Sequence, residues 1–129
     1  MENQINAAKK KLILVVDDTP IVAETIDLLL SHLGHQVETS PDGPEALARF
    51  QSGKYNLVIT DYWMPKMNGI ELATAIKTKE AGQLVILLSA FTSSVFAKEA
   101  NPLPVDLVMS KPFSLQEFQT ALGKLFPAG

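Results

Sequence analysis

The chain has 129 residues, 47% of them hydrophobic, with 14 acidic and 11 basic side chains, a net charge of −3 and no cysteine. That length suits one domain with one sizeable core, the missing cysteine removes disulfides, thiol nucleophiles and thiolate metal sites, and the mildly acidic balance gives no field for holding nucleic acid or an anionic membrane. The apolar runs fall far short of the ~18 residues of a membrane span, and the one after the polar, basic start MENQINAAKKK ends in two aspartates instead of a small-residue cleavage site, so a cytoplasmic protein with a flexible tail over residues 1–10 is expected.

The first apolar run, LILVV (12–16), reads as a strand that passes directly into Asp17 and Asp18. Thr19 and Pro20 then offer an N-cap and a first helical position. The helix over 20–33 would carry the stripe Ile21, Ile26, Leu29, Leu30 and Leu33 and end at Gly34. His32 and His35 flank that glycine, where a positive imidazole is favoured, and read as structural. QVETS (36–40) is a weaker, alternating strand; DGPEALARF opens a second helix with Gly43 before Pro44, and Gly53 closes it. NLVIT (56–60) is a strand ending at Asp61. Asn68 and Glu71 form a capping-box pair for a third helix through Ile70, Leu72, Ala73 and Ile76. LVILL (84–88) is a strand ending at Ser89. After it TSSVFAKEA (92–100) runs into NPLP (101–104), where Pro102 and Pro104 disfavour helix, so a short or irregular one is expected. DLVM (106–109) leads to Ser110 and Lys111, and Ser114 with Glu117 caps a last helix facing the core through Leu115, Phe118, Leu122 and Leu125.

Four of the five strand runs are continuously apolar, the pattern of strands covered on both faces. Strand then helix, five times over, is the sequence form of a doubly wound α/β domain, because each parallel crossover needs a helix. No repeat or linker interrupts it, so residues 11–129 are expected to form a single domain.

Ligands of open α/β sheets collect beyond the carboxyl ends of the strands. There the sequence places Asp17, Asp18, Asp61, Ser89 and Lys111. Each has a plain alternative: Asp17 and Asp18 as acids before a helix, Asp61 as a turn residue, Ser89 and Lys111 as ordinary surface groups. If the central strands are neighbours, however, three carboxylates, a hydroxyl and an ammonium converge on one cleft. Crowded carboxylates raise one another's proton affinity unless a cation joins them. An oxygen-only set with no histidine or cysteine suits a hard ion such as Mg²⁺, whose coordination is normally completed by water and phosphate oxygens. An aspartate in such a site can act as a nucleophile and become an acyl phosphate.

Four motifs, VVDD (15–18), TDYWMPKMNG (60–69), SA (89–90) and SKPF (110–113), resemble in order and spacing those of a two-component response-regulator receiver domain, over residues 11–126. The resemblance implies a (βα)5, flavodoxin-like fold with a five-stranded parallel sheet in the order 2-1-3-4-5. It implies Mg²⁺-dependent phosphoryl transfer from the phosphohistidine of a histidine kinase, or of a phosphotransfer protein, to Asp61. Asp18, Asp61 and the backbone carbonyl of Trp63 would bind the metal directly and Asp17 largely through water. Ser89 and Lys111 would hold the phosphoryl oxygens, small Ala90 would leave access open, and the Lys111–Pro112 peptide would be cis. Such a protein modifies itself and is not a turnover enzyme. With no effector after residue 126, output would run through contact with an unknown downstream protein, or the chain would be a receiver cut from a larger one.

Three positions depart from the pattern. Val108 stands where similar receivers carry a switching aromatic ring, so signalling is expected to run through the 89–104 segment instead. Trp63 and Phe91 put bulk beside the acceptor where polar groups often stand, which would exclude an attacking water and slow loss of the phosphoryl group. Three competing readings are a flavodoxin-type cofactor module, a hydrolase with an aspartyl-phosphate intermediate, and a receiver-like interaction module that takes no phosphate. The acids in DDTPI disfavour a phosphate cradle after strand one, and YWMP lacks the second acid such a hydrolase uses. The third remains an alternative that only a phosphorylation experiment separates.

Overall fold

The computed structural model describes residues 10–90, 103–111 and 113–127. Five strands, β1 (Leu12–Val16), β2 (Gln36–Ser40), β3 (Leu57–Asp61), β4 (Val85–Ser89) and β5 (Leu107–Ser110), form one parallel sheet in the order β2-β1-β3-β4-β5. Among the described residues four helices cover it: α1 (Pro20–His32), α2 (Gly43–Arg49), α3 (Gly69–Lys79) and α4 (Leu115–Leu125). The irregular helix expected between β4 and β5, Phe91, the Lys111–Pro112 peptide and nearly all of the expected N-terminal tail lie outside the described residues.

Alternation along each strand divides the core into two layers. Ile13, Val15, Leu57, Ile59, Ile86 and Leu88 pack against Ile26 and Leu30 of α1 and Phe118 and Leu122 of α4. Leu14, Val16, Val58 and Val85 pack against Ala46 of α2 and Leu72, Ala73 and Ile76 of α3. The sheet is therefore doubly wound, and the continuous apolar runs of β1, β3 and β4 follow from burial on both faces. β5 does not fit that expectation. It is an edge strand whose burial alternates, and Val108 is 41% exposed.

Both predicted capping boxes are present: Asn68 Oδ1 accepts from the Glu71 N–H and Ser114 Oγ from the Glu117 N–H, each glutamate accepting the return bond. Other boundaries differ. Three strands extend one residue further than their apolar runs, taking in Asp61, Ser89 and Ser110, because a polar residue at a strand end still completes the ladder. Ile21 is 66% exposed and off the core stripe of α1, whereas Ala23 is buried on it. Asp42 caps α2 by accepting from the Glu45 N–H, and that helix ends at Arg49; Gly53 sits beyond it in a turn at φ +83°.

His35 is not a positive group at a helix end. Its Nδ1 accepts a hydrogen bond from the Lys11 backbone N–H at 3.1 Å, and the Lys11 carbonyl accepts from the Gln36 N–H at 2.9 Å. The imidazole thus adds a rung to the β1–β2 ladder, while the Lys11 ammonium lies 4.5 Å from the centroid of the Phe126 ring. Burial, and then the Lys11 charge, hold its pKa below the ordinary 6.5. The unfolded chain therefore binds this proton more readily than the folded one. The stabilising contribution is complete above about pH 6.5 and is lost as pH falls through the folded value. Melting temperature is expected to decline between about pH 7 and 5, and His35→Asn, an acceptor that does not titrate, to flatten that part of the decline. Identical pH slopes for the two proteins would refute it.

Candidate functional site

Because the central strand order is β1-β3-β4-β5, the carboxyl ends of these four strands open on one cleft of ≈ 330 Å³, lined by Asp18, Thr19, Asp61, Tyr62, Trp63, Ser89, Ala90 and Lys111. The Asp17 N–H donates to the Ser40 carbonyl at 3.1 Å, carrying the β1–β2 ladder one residue past β1, so Asp17 points inward and is buried while Asp18 is exposed at the rim. Asp61 closes β3 and Ser89 closes β4, both buried. The Lys111 N–H donates to the Ser89 carbonyl at 2.9 Å, which brings the lysine to the same end of the sheet.

One carboxylate oxygen from each of Asp17, Asp18 and Asp61 lies within 4.8 Å of the others. Lys111 Nζ is 2.8 Å from Asp61 Oδ1 and 3.9 Å from Asp17 Oδ2. Asp17 Oδ1 accepts from the Thr19 N–H at 2.9 Å, and Oδ2 is buried with no hydrogen-bond partner. Burial above all, with repulsion from Asp61 and Asp18, raises the Asp17 pKa against the opposing pull of the Thr19 N–H and Lys111. A buried carboxylate oxygen without a donor is costly. Among the described residues, three carboxylates with one ammonium near them form an under-neutralised, all-oxygen set, and these residues fit a hard divalent cation.

Thr19 does not cap α1 with its side chain, and its backbone groups serve both neighbours instead. Its N–H is used by Asp17, Pro20 has no N–H, and the Thr19 carbonyl itself accepts from the Val22 and Ala23 amides.

The loop after Asp61 is braced from several sides. The Tyr62 N–H donates to the Leu88 carbonyl, the Gly69 N–H to the Tyr62 carbonyl and the Met67 N–H to the Pro65 carbonyl, each at 2.8 Å. Lys66 adopts φ +73° and its Nζ meets Asp42 Oδ2 at 3.3 Å. Met64 is buried in the α2–α3 layer and Met67 packs on Gly43, so both methionines are packing residues, as their position suggests. Trp63 is 72% exposed at the cleft rim, its ring centroid 6.2 Å from that of Tyr62. Of the residues expected from sequence at this site, Asp17, Asp18, Asp61, Trp63, Ser89, Ala90 and Lys111 are at this end of the sheet, and Phe91 lies outside the described residues. Tyr62 and Thr19 also line the cleft; each directly follows one of the predicted acids, Asp61 and Asp18, and that adjacency was the signal that could have found them.

Another groove, ≈ 400 Å³, lies between β5 and α4 along Val108, Ser110, Thr120 and Lys124. Among the described residues it has no carboxylate cluster, and its Glu117 is engaged in the Ser114 capping box.

A family profile described as "Response regulator receiver domain" matches residues 13–123. The chain is 35% identical over 116 residues to a probable transcriptional regulator, ycf27, of Cyanophora paradoxa, covering 90% of this chain and 48% of that protein. It is 42% identical over 92 residues to a gliding motility regulatory protein of Myxococcus xanthus, covering 70% of this chain and 12% of that one. The chain thus spans about half or less of the length of these curated relatives. Among solved structures, the Thermotoga maritima response regulator TrrA in complex with Mg²⁺–BeF superposes with a TM-score of 0.81 at 36% identity, over 90% of this chain and 99% of that one. A receiver domain from Clostridium thermocellum gives 0.82 at 28% identity, over 89% and 93%.

Proposed function

The chain belongs to the response regulator receiver domain family, and from that premise we propose that it is the phosphoacceptor of a two-component phosphorelay, with Asp61 as the acceptor. The observation that carries this reading is the 2.8 Å contact of Lys111 Nζ with Asp61 inside a cluster of three carboxylates beside Ser89.

A carboxylate oxygen of Asp61 attacks the phosphorus of a phosphohistidine donor. The P–N bond breaks, its electron pair returns to the imidazole, and an acyl phosphate remains on Asp61. Later attack by water regenerates the carboxylate and releases inorganic phosphate. Lys111, already beside the acceptor, places its ammonium against the incoming phosphoryl oxygens, and the Ser89 hydroxyl serves the same oxygens from β4. Asp17, Asp18, Asp61 and the Trp63 carbonyl would hold Mg²⁺, which supplies charge neutralisation for the phosphoryl group when bound. The TrrA complex with Mg²⁺–BeF supports this assignment by analogy.

The donor is a histidine kinase or a phosphotransfer protein, and output passes by contact to a downstream protein in the cytoplasm. Among the described residues no helix is long and apolar enough to cross a membrane. Incubation with Mg²⁺ and acetyl phosphate is expected to add the mass of one phosphoryl group to the intact protein, and Asp61→Ala to abolish the addition. A wild-type protein whose mass stays constant sinks the reading and favours an interaction module that takes no phosphate.

A further inference from the structure

Thr60 is the one residue with a polar side chain within the fully buried run Leu57–Thr60 of β3, and its exposure is 0%. Strand alternation puts it on the α2–α3 face with Val58, paired in register with Val16 of β1 and Leu87 of β4. Valine has the same shape, suits a central strand at least as well, and carries no hydroxyl to desolvate. Packing alone therefore gives no reason for threonine here.

The hydroxyl has a specific partner. Thr60 Oγ1 donates to the backbone carbonyl of Asp61 at 3.0 Å. The same carbonyl is approached from α3 by Gly69, so closely that a Cβ on that residue would lie 2.4 Å from the oxygen. Gly69 in turn donates its N–H to the Tyr62 carbonyl. The peptide planes following Asp61 and Tyr62 are thus both set before the chain reaches Trp63.

We propose that Thr60 is a positioning residue for the cation site: its buried hydroxyl, closing on the Asp61 carbonyl opposite Gly69, orients the backbone that presents the Asp61 carboxylate and the Trp63 carbonyl. This inference rests on the metal-binding part of the functional reading. Groups that orient ligands from behind commonly change metal affinity by 10–100-fold while leaving the fold intact.

The test uses Thr60→Val and Thr60→Ser in the full chain. Trp63, the sole tryptophan and a rim residue of the cleft, reports Mg²⁺ binding by fluorescence. Thr60→Val is expected to raise the Mg²⁺ dissociation constant about tenfold, to slow acetyl phosphate labelling, and to leave the metal-free melting temperature equal or higher. Thr60→Ser, which restores the hydroxyl, is expected to return the affinity to within about twofold of wild type. In the metal-free protein the Tyr62 amide should exchange faster in the valine variant. Wild-type affinity in Thr60→Val overturns the inference while leaving the functional reading intact. A wild-type protein indifferent to Mg²⁺ overturns both. Should the valine variant fail to fold, Thr60→Ala against Thr60→Ser makes the same comparison.

Discussion

Replacing Asp17 with asparagine is expected to move two measurements in opposite directions. Without metal the melting temperature should rise, because the substitution removes a buried charge whose Oδ2 has no hydrogen-bond partner and which faces two other carboxylates within 4.8 Å, a cost that the Lys111 ammonium at 3.9 Å offsets in part. An asparagine keeps the acceptor for the Thr19 N–H and turns the orphaned oxygen into an NH₂ that can donate to those carboxylates. Relief of a buried, like-charged group is worth about 1–2 kcal/mol, or ~5 °C for a domain of this size. With Mg²⁺ the variant's advantage shrinks to nothing or nearly so, because the ion protects wild type far more. At a concentration a hundredfold above its dissociation constant, the ion adds about 2.7 kcal/mol to wild-type stability. A roughly thirtyfold loss of affinity on removing one carboxylate leaves less than about 1 kcal/mol of that gain. Thermal melts with EDTA and across a Mg²⁺ series measure both halves. A variant less stable than wild type without metal, or equally protected by it, contradicts this account of Asp17.

Gly69→Ala is expected to cost about 3 kcal/mol, at the upper end of overpacking effects, lowering the melting temperature by ~10 °C. The added methyl would meet the Asp61 carbonyl oxygen at 2.4 Å and Leu87 Cδ1 at 2.6 Å. Leucine can turn, but the carbonyl belongs to the last residue of a central strand, paired with Leu88 of β4, and yields far less readily. The strain is relieved only by moving the start of α3, which breaks the Gly69–Tyr62 hydrogen bond and the Asn68–Glu71 capping box beside it. Gly34→Ala and Gly53→Ala make useful contrasts: both glycines have open space around them, and the cost there is that of their positive φ alone. Calorimetric melts of the three variants separate the causes. A Gly69→Ala protein melting within about a degree of wild type would mean that the loop after Asp61 is not pinned by this contact.

The pairing of Asp17 with Asp18 illustrates how far a one-dimensional pattern reaches. Element type, helix starts at Asn68 and Ser114, and the acidic ends of strands are written in neighbouring residues, because periodicity and capping depend on interactions a few positions apart. The chain alone therefore determined that the protein alternates strands with helices and where its chemistry-bearing side chains sit along them. Which aspartate is buried and left with an orphaned oxygen, that Lys111 reaches Asp61 at 2.8 Å, and that Thr60 and Gly69 meet on one carbonyl were decided only by the packed sheet. So were the exposure of Ile21 and Val108 and the role of His35 as an acceptor. Most of these depend on residues tens of positions apart, whose proximity follows from strand order and from the burial of both sheet faces, and no local pattern records that.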